Sequence, residues 1–183
     1  PDSGGLRLSH TDRTGATRYF TYDQGNTLIE TDEDGVTQVR FTAGLGLDEW
    51  LTMDTGTESY VYHRDALGSV TGLTDAAGAP VAAYSYGPFG KALTANPLDG
   101  NPLRFTGRRY QPDSGLYHFR AREYDPALGR FTGPDPMGGF RFDPATHNRY
   151  SYVLNNPLSY TDPTGEFVIS GAILIGTIVY GLY

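Results

Sequence analysis

Nothing between Arg18 and Thr132 sustains a helical period, whereas short runs of alternating large and polar side chains recur between glycine- and aspartate-rich breaks. Side chains that alternate at period two fall on opposite faces of a strand, so the chain is committed to mostly β structure built from consecutive antiparallel hairpins. Arg18–Tyr22 predicts a strand, Asp23–Asn26 a turn, Thr27–Thr31 the next strand, Asp32–Gly35 a second turn, and Val36–Thr42 the returning strand. The Asp34-Gly35 pair is a hairpin signal of type I′ chemistry, in which both central residues take positive φ. The phrase then repeats: Ser59–His63, Val70–Thr74 and Val81–Tyr86 read as strands, with turns at Ala66–Ser69 and Asp75–Gly78. Thr31-Asp32-x-x-Gly35 maps onto Thr74-Asp75-x-x-Gly78 with an offset of 43, and Tyr22 onto Tyr62 with 40, the slippage expected of degenerate repeats.

Four regions follow. Residues 1–17 are polar and glycine-rich without a clear period and read as an irregular entry; 18–100 hold the hairpin units. Between the units, 43–53 carries the single tryptophan, Trp50, read as a packing residue on a strand. Asn96–Pro102 is loop chemistry. Residues 101–166 are the densest part, with aromatics, arginines, glycines and Asp-Pro pairs at strand spacing. The last 17 residues, 167–183, contain no charge and place Gly171, Gly176 and Gly181 at intervals of five. Two readings stand for this tail: a membrane-inserting helix, helped by the small pairs Ala172/Gly176 and Thr177/Gly181, or a buried strand.

Composition narrows the function classes. Fourteen tyrosines and 13% aromatic residues argue against disorder. A net charge of −7, with Lys91 the single lysine among 14 basic residues, is a poor match to nucleic acid, and no nucleic-acid partner is expected. The absence of cysteine removes disulfides, thiolate metal sites and thiol catalysis. His10, His63, His118 and His147 are dispersed, so no metal and no cofactor is expected. His63-Arg64-Asp65 matches a kinase catalytic triplet but lacks every accompanying kinase element. Arg104, Arg108, Arg109, Arg120, Arg122 and Arg130 interleave with Phe and Tyr, a pattern for pairing with acids or stacking on rings. The chain opens on Pro1 and reads as a piece of something longer.

The order Tyr62–Ser69, Tyr86–Gly90, Arg104–Gly107, Gly115–Tyr117, Arg120–Arg122, Tyr124–Phe131 and Pro134–Pro136 resembles the Rhs repeat-associated core domain. This family of YD-repeat proteins includes bacterial Rhs polymorphic toxins and is similar to the Tc toxin C subunit and to teneurins. The resemblance implies a curved sheet that spirals into a hollow β-shell, plugged by the core domain and enclosing a C-terminal toxin. It implies a secreted, surface or delivered bacterial protein, with the rest of the parent chain and its toxin as partners, and with delivery machinery or a target-cell surface as further ones. Tail residues 167–183 offer a membrane contact.

The resemblance also implies aspartic-type self-cleavage that releases the C-terminal region. Asp135 matches the first aspartate of that reaction and Asp162 the second, while Arg130 sits where the family keeps an arginine near the pair. Cleavage would fall in the region Gly165, Glu166, Phe167. Two aspartates held close cannot both ionise, so one keeps a proton and acts as acid while the other activates water. Two departures stand out: the aspartates are 27 residues apart, a longer spacing than the family's, and Glu166 occupies the position of the family's leucine. A third pair, Asp143-Pro144, competes for the assignment. The plain alternative is that every Asp-Pro only starts a turn. Outside catalysis and structure, a carbohydrate- or cell-surface-binding module using exposed tyrosines remains a third reading.

Overall fold

The computed structural model of the protein describes residues 6–93, 98, 100–137 and 144–166, with the backbone of Ile169–Ser170. Eight strands run in chain order through one open antiparallel sheet. They are β1 (Ser9–Thr11), β2 (Thr17–Asp23), β3 (Asn26–Thr31), β4 (Thr37–Ala43), β5 (Trp50–Asp54), β6 (Ser59–Arg64), β7 (Val70–Asp75) and β8 (Pro80–Ala83). A second sheet is formed by β9 (Arg109–Gln111), β10 (Leu116–Phe119), β11 (Arg122–Asp125) and β12 (Arg130–Phe131), again in chain order. A short pair joins β13 (Tyr160–Thr161) to β14 (Ile169–Ser170). Mostly β architecture with an unclosed sheet is what the alternation predicts.

One turn design explains the sheet. At Asp12, Asp32, Asp65 and Asp75 the side-chain Oδ1 accepts the N–H groups two and four residues on. The main-chain carbonyl of each accepts from a glycine three residues on, at 3.0 to 3.1 Å. Gly15, Gly35, Gly68 and Gly78 all take positive φ, between 77° and 91°, where glycine avoids the Cβ penalty. This corrects two expectations. Gly35 closes a four-residue loop capped by Asp32, not a type I′ pair. The type I′ conformation belongs to Gln24-Gly25, with φ of 47° and 81°. The segment read as an irregular entry contains β1, because Asp12–Gly15 is another copy of the turn.

On β6 one face is buried, with Tyr60 and Tyr62 inward against exposed Ser59, Val61 and His63. Phe41, Trp50, Met53, Tyr60, Tyr62, Val70, Leu73 and Tyr84 form the wall core, with Leu103 from the following segment. Trp50 packs on Phe41 and donates its indole N–H to the Gly107 carbonyl at 2.8 Å, tying wall to second sheet. The second core is aromatic: Phe105, Tyr117, Phe119, Tyr124, Phe131 and Tyr152, with Val153. Tyr124 and Tyr152 rings stand 4.7 Å apart, within the preferred range for tilted aromatic pairs.

Segment 150–157 makes one bridge from Ser151 to Arg130 and then a left-handed turn. Val153, Leu154 and Asn155 all have positive φ. That backbone is costly for the β-branched Val153, and burial of its side chain in the aromatic core offsets the cost.

Among the described residues no helix is long and apolar enough to cross a membrane. Phe167 and the tail from residue 171, together with Asp143, lie outside the described residues; of the tail, only the Ile169–Ser170 backbone pairing is described.

Candidate functional site

The site is built from β11. Its alternation turns Arg122 and Tyr124 inward while Glu123 and Asp125 are half-exposed. Arg122 then lies over the Phe131 ring, its guanidinium carbon 3.6 Å from the ring centre. Its Nη2 contacts Asp135 Oδ2 at 3.0 Å and Asp162 Oδ2 at 3.1 Å, so the two predicted aspartates share one nitrogen. Nη1 donates to the Arg149 carbonyl at 3.2 Å, and Nε donates to the Gly165 carbonyl. Burial lowers the Arg122 pKa, opposed by Asp135, Asp162 and Glu166.

Both aspartates also use Oδ1 for turn work, as the plain reading of Asp-Pro expects. Asp135 Oδ1 accepts the Met137 N–H at 2.9 Å, and its main-chain N–H donates to the Arg149 carbonyl at 2.8 Å. Asp162 Oδ1 accepts the N–H of Gly165 at 2.8 Å and of Glu166 at 3.1 Å. Turn capping and carboxylate pairing are therefore carried by different oxygens of the same side chains. Gly165 has φ 77°, and a Cβ there would collide with the Phe119 carbonyl, so the tight approach of this turn to β10 requires glycine.

Arg130 does not join the pair. It is exposed at the start of β12, opposite Asp125, and Arg122 takes the place beside the aspartates. The signal for Arg122 was present in the sequence: two residues before Tyr124 on the same strand, it had to share the inward face.

The terminal turn is held from the other side as well. Arg108 and Arg120 both donate to the Pro163 carbonyl. Asp48 sits between their guanidinium groups, 2.6 Å from Arg108 Nη2 and 2.9 Å from Arg120 Nη2. Burial first, and the neighbouring Arg120 charge second, bring Arg108 down to about 10, with Asp48 and Asp162 acting against them. Beside Asp162 opens a cavity of about 460 Å³ lined by Asp48, Asp65, Thr106, Arg108, Thr161 and Asp162 among others. Thr161 Oγ1 and Arg108 Nε are buried without a hydrogen-bond partner among the described residues at this wall.

Chemically, a guanidinium touching two carboxylates lowers the cost of bringing them together and orients both Oδ2 atoms on one nitrogen. The same group polarises the Gly165 carbonyl while Asp162 receives the next amide. The remaining predicted arginines serve packing: Arg104 over Tyr110, and Arg109 over Phe20 while paired with Glu30. Among the described residues no three His, Asp or Glu side chains converge as a metal site would need.

Comparison with known proteins follows this geometry. The profile of the teneurin YD-shell family matches residues 48–158. The tRNA3(Ser)-specific nuclease WapA of Bacillus spizizenii is 33% identical over 171 residues, 91% of this chain and 7% of that protein. Toxin protein Tse5 of Pseudomonas aeruginosa is 42% identical over 67 residues, 37% of this chain and 5% of its own length. Among solved structures, the TcdB2–TccC3 complex without its hypervariable C-terminal region superimposes with a TM-score of 0.64 at 21% identity, over 86% of this chain and 8% of that one. The Photorhabdus luminescens Tc holotoxin pore gives 0.65 at 19%, over 100% and 9%. The chain thus spans less than a tenth of each of these proteins, and from the profile match and the WapA identity it belongs to the YD-shell family of Rhs-type repeat proteins.

Proposed function

We propose that this chain is the closing part of a β-shell in a larger toxin-type protein, where the eight-stranded sheet is wall and the aromatic second sheet is the plug that anchors the exit of the chain. The observation that carries this reading is the arginine clamp. Arg108 and Arg120 grip the Pro163 carbonyl and Arg122 the Gly165 carbonyl of the turn at 163–165, all from the second sheet region, and Arg120 also donates to the wall at the Gly25 carbonyl, 2.8 Å away. A wall needs neighbours, since among the described residues the open sheet has β1 as an edge strand, where further hairpins can add. Nuclease and toxin names belong to the relatives; the toxic activity is placed here in a separate part of the parent protein. Imaging of the full parent chain by electron microscopy tests the reading: it expects a hollow wall continuing outward from β1, and an isolated flat sheet there would contradict it.

A second reading, self-cleavage at 165–167, is favoured by one observation. The Gly165 carbonyl is held by Arg122, which contacts both aspartates, and the Glu166 amide by Asp162 itself. Water would add to the scissile carbonyl carbon, the C–N bond would break, and a carboxyl proton would pass to the leaving amine, giving one new carboxylate and one new N-terminus. Comparing the parent chain with Asp135→Asn and Asp162→Asn tests this by fragment mass. A parent that yields no fragment starting near residue 166 ends the reading.

A further inference from the structure

Asp48 lies in the wall, far in sequence from the terminal turn, yet its carboxylate is the counter-charge for both guanidiniums that hold the Pro163 carbonyl. We infer that Asp48 is a positioning residue for cleavage at the terminal turn, acting through Arg108 and Arg120 on the Asp162–Glu166 segment; this rests on the self-cleavage reading.

The placement of Asp48 is itself built. Its backbone is left-handed, φ 60°, and its N–H donates to Asn26 Oδ1 at 2.7 Å, while Asn26 Nδ2 donates to the Gly46 carbonyl at 3.1 Å. Asp48 then receives Arg120 through both oxygens, Nη2 to Oδ1 at 2.9 Å and Nη1 to Oδ2 at 3.2 Å. Two guanidiniums converging on one carbonyl repel each other, and a buried carboxylate between them offsets that repulsion. Pro163 offers only its carbonyl for fixing, having no N–H, and it directly follows Asp162. The orientation of Asp162, and of the Gly165–Glu166 peptide bonded to it, therefore depends on the wall residue. There is an electrostatic consequence too. Arg108 interacts with Asp162 as well as with Asp48. Removing the Asp48 charge leaves Arg108 without its counter-charge beside Asp162, which favours the ionised form of that carboxylate over the protonated form that an acid in cleavage needs.

The experiment follows the first-order appearance of the downstream fragment in the full parent chain, in Asp48→Asn and in Arg120→Lys, across an acid-to-neutral pH series. Trypsin digestion patterns identify the variants that retain the parental fold. Expected for folded Asp48→Asn is a rate lower by on the order of ten- to a hundredfold near neutrality, with its pH profile displaced toward acid. A purely structural role would lower yield or stability without moving the profile. Arg120→Lys, which keeps the charge but loses the fork that reaches Pro163 and Gly25, should be slow with a smaller displacement. Parental rate and profile in a folded variant overturn the inference while leaving self-cleavage intact; a parent that never clips removes the reaction itself.

Discussion

Asp135 and Asp162, 27 residues apart in sequence, place their Oδ2 atoms 3.0 and 3.1 Å from the same nitrogen of Arg122. The guanidinium is a bolt between two turns: one leaves β12 and the other ends the described core. Asp162 is 2% exposed, so its charge has little water to fall back on.

Arg122→Gln should therefore destabilise the fold by about 3–5 kcal/mol, because a buried carboxylate loses its cation and Gly165 its donor. Arg130→Gln, at the position indicated by the family pattern, should change stability by less than about 0.5 kcal/mol, since Arg130 is exposed. Chemical denaturation of the two variants separates these roles.

The wall turns make a second expectation. Asp75 Oδ1 accepts two amides at 2.9 and 2.8 Å, a capping arrangement repeated at Asp12, Asp32 and Asp65. Asp75→Ala should cost about 0.5–2 kcal/mol, as loss of a comparable helix cap does. Gly78→Ala, at φ 84°, should cost about 1–2 kcal/mol through backbone strain, though nothing crowds a Cβ there. Unfolding midpoints in urea measure both.

Much of this was legible beforehand. Strand positions from β2 to β7 follow from alternation, and the family resemblance singled out both aspartates. What was hidden came from residues whose roles are set by neighbours distant in sequence. Asp12–Gly15 was passed over because a three-residue edge strand is too short to show a period. Arg122 shows only through the inward face it shares with Tyr124, whereas spacing to Asp135 points to Arg130 and says nothing of which face a strand residue takes. Asp48 carried no motif; its role arises from a left-handed turn that aims it at Arg108 and Arg120. The left-handed run at 153–155 contradicts local propensity and is held by packing of Val153.

Acid should loosen the clasp between the entry and the second sheet. Arg7 pairs with Glu123, which also receives His118 Nδ1 at 3.0 Å and Gln111 at 2.7 Å. Burial lowers the His118 pKa from its ordinary 6.5, with the Arg7 and Arg108 charges adding to it and Glu123 opposing. Burial pushes Glu123 up, but His118 and Arg7 outweigh it and hold it below its ordinary 4.5. Both signs agree. A histidine with a depressed folded pKa loses stability as pH falls below 6.5, and a carboxylate with a depressed folded pKa loses more as pH falls below 4.5. Melting temperature should decline in two stages on acidification, and His118→Gln should abolish the first.

If the parent chain cleaves itself, Glu166→Leu should accelerate it. Glu166 adds a third negative charge to the surroundings of Arg122. Leucine removes that competitor and restores the residue type of the family pattern. Fragment yield against time, in parent and variant, reads the change.

A module that closes a β-shell should both anchor and shelter the chain downstream of it in the parent protein. Limited trypsin digestion of the full parent protein, with mass mapping of the segment downstream of this module, reads that shelter. This segment should resist cleavage in the parent and become sensitive in Arg120→Ala, where the grip on Pro163 and Gly25 is lost. Digestion of the segment in the intact parent as fast as in the denatured protein would contradict it.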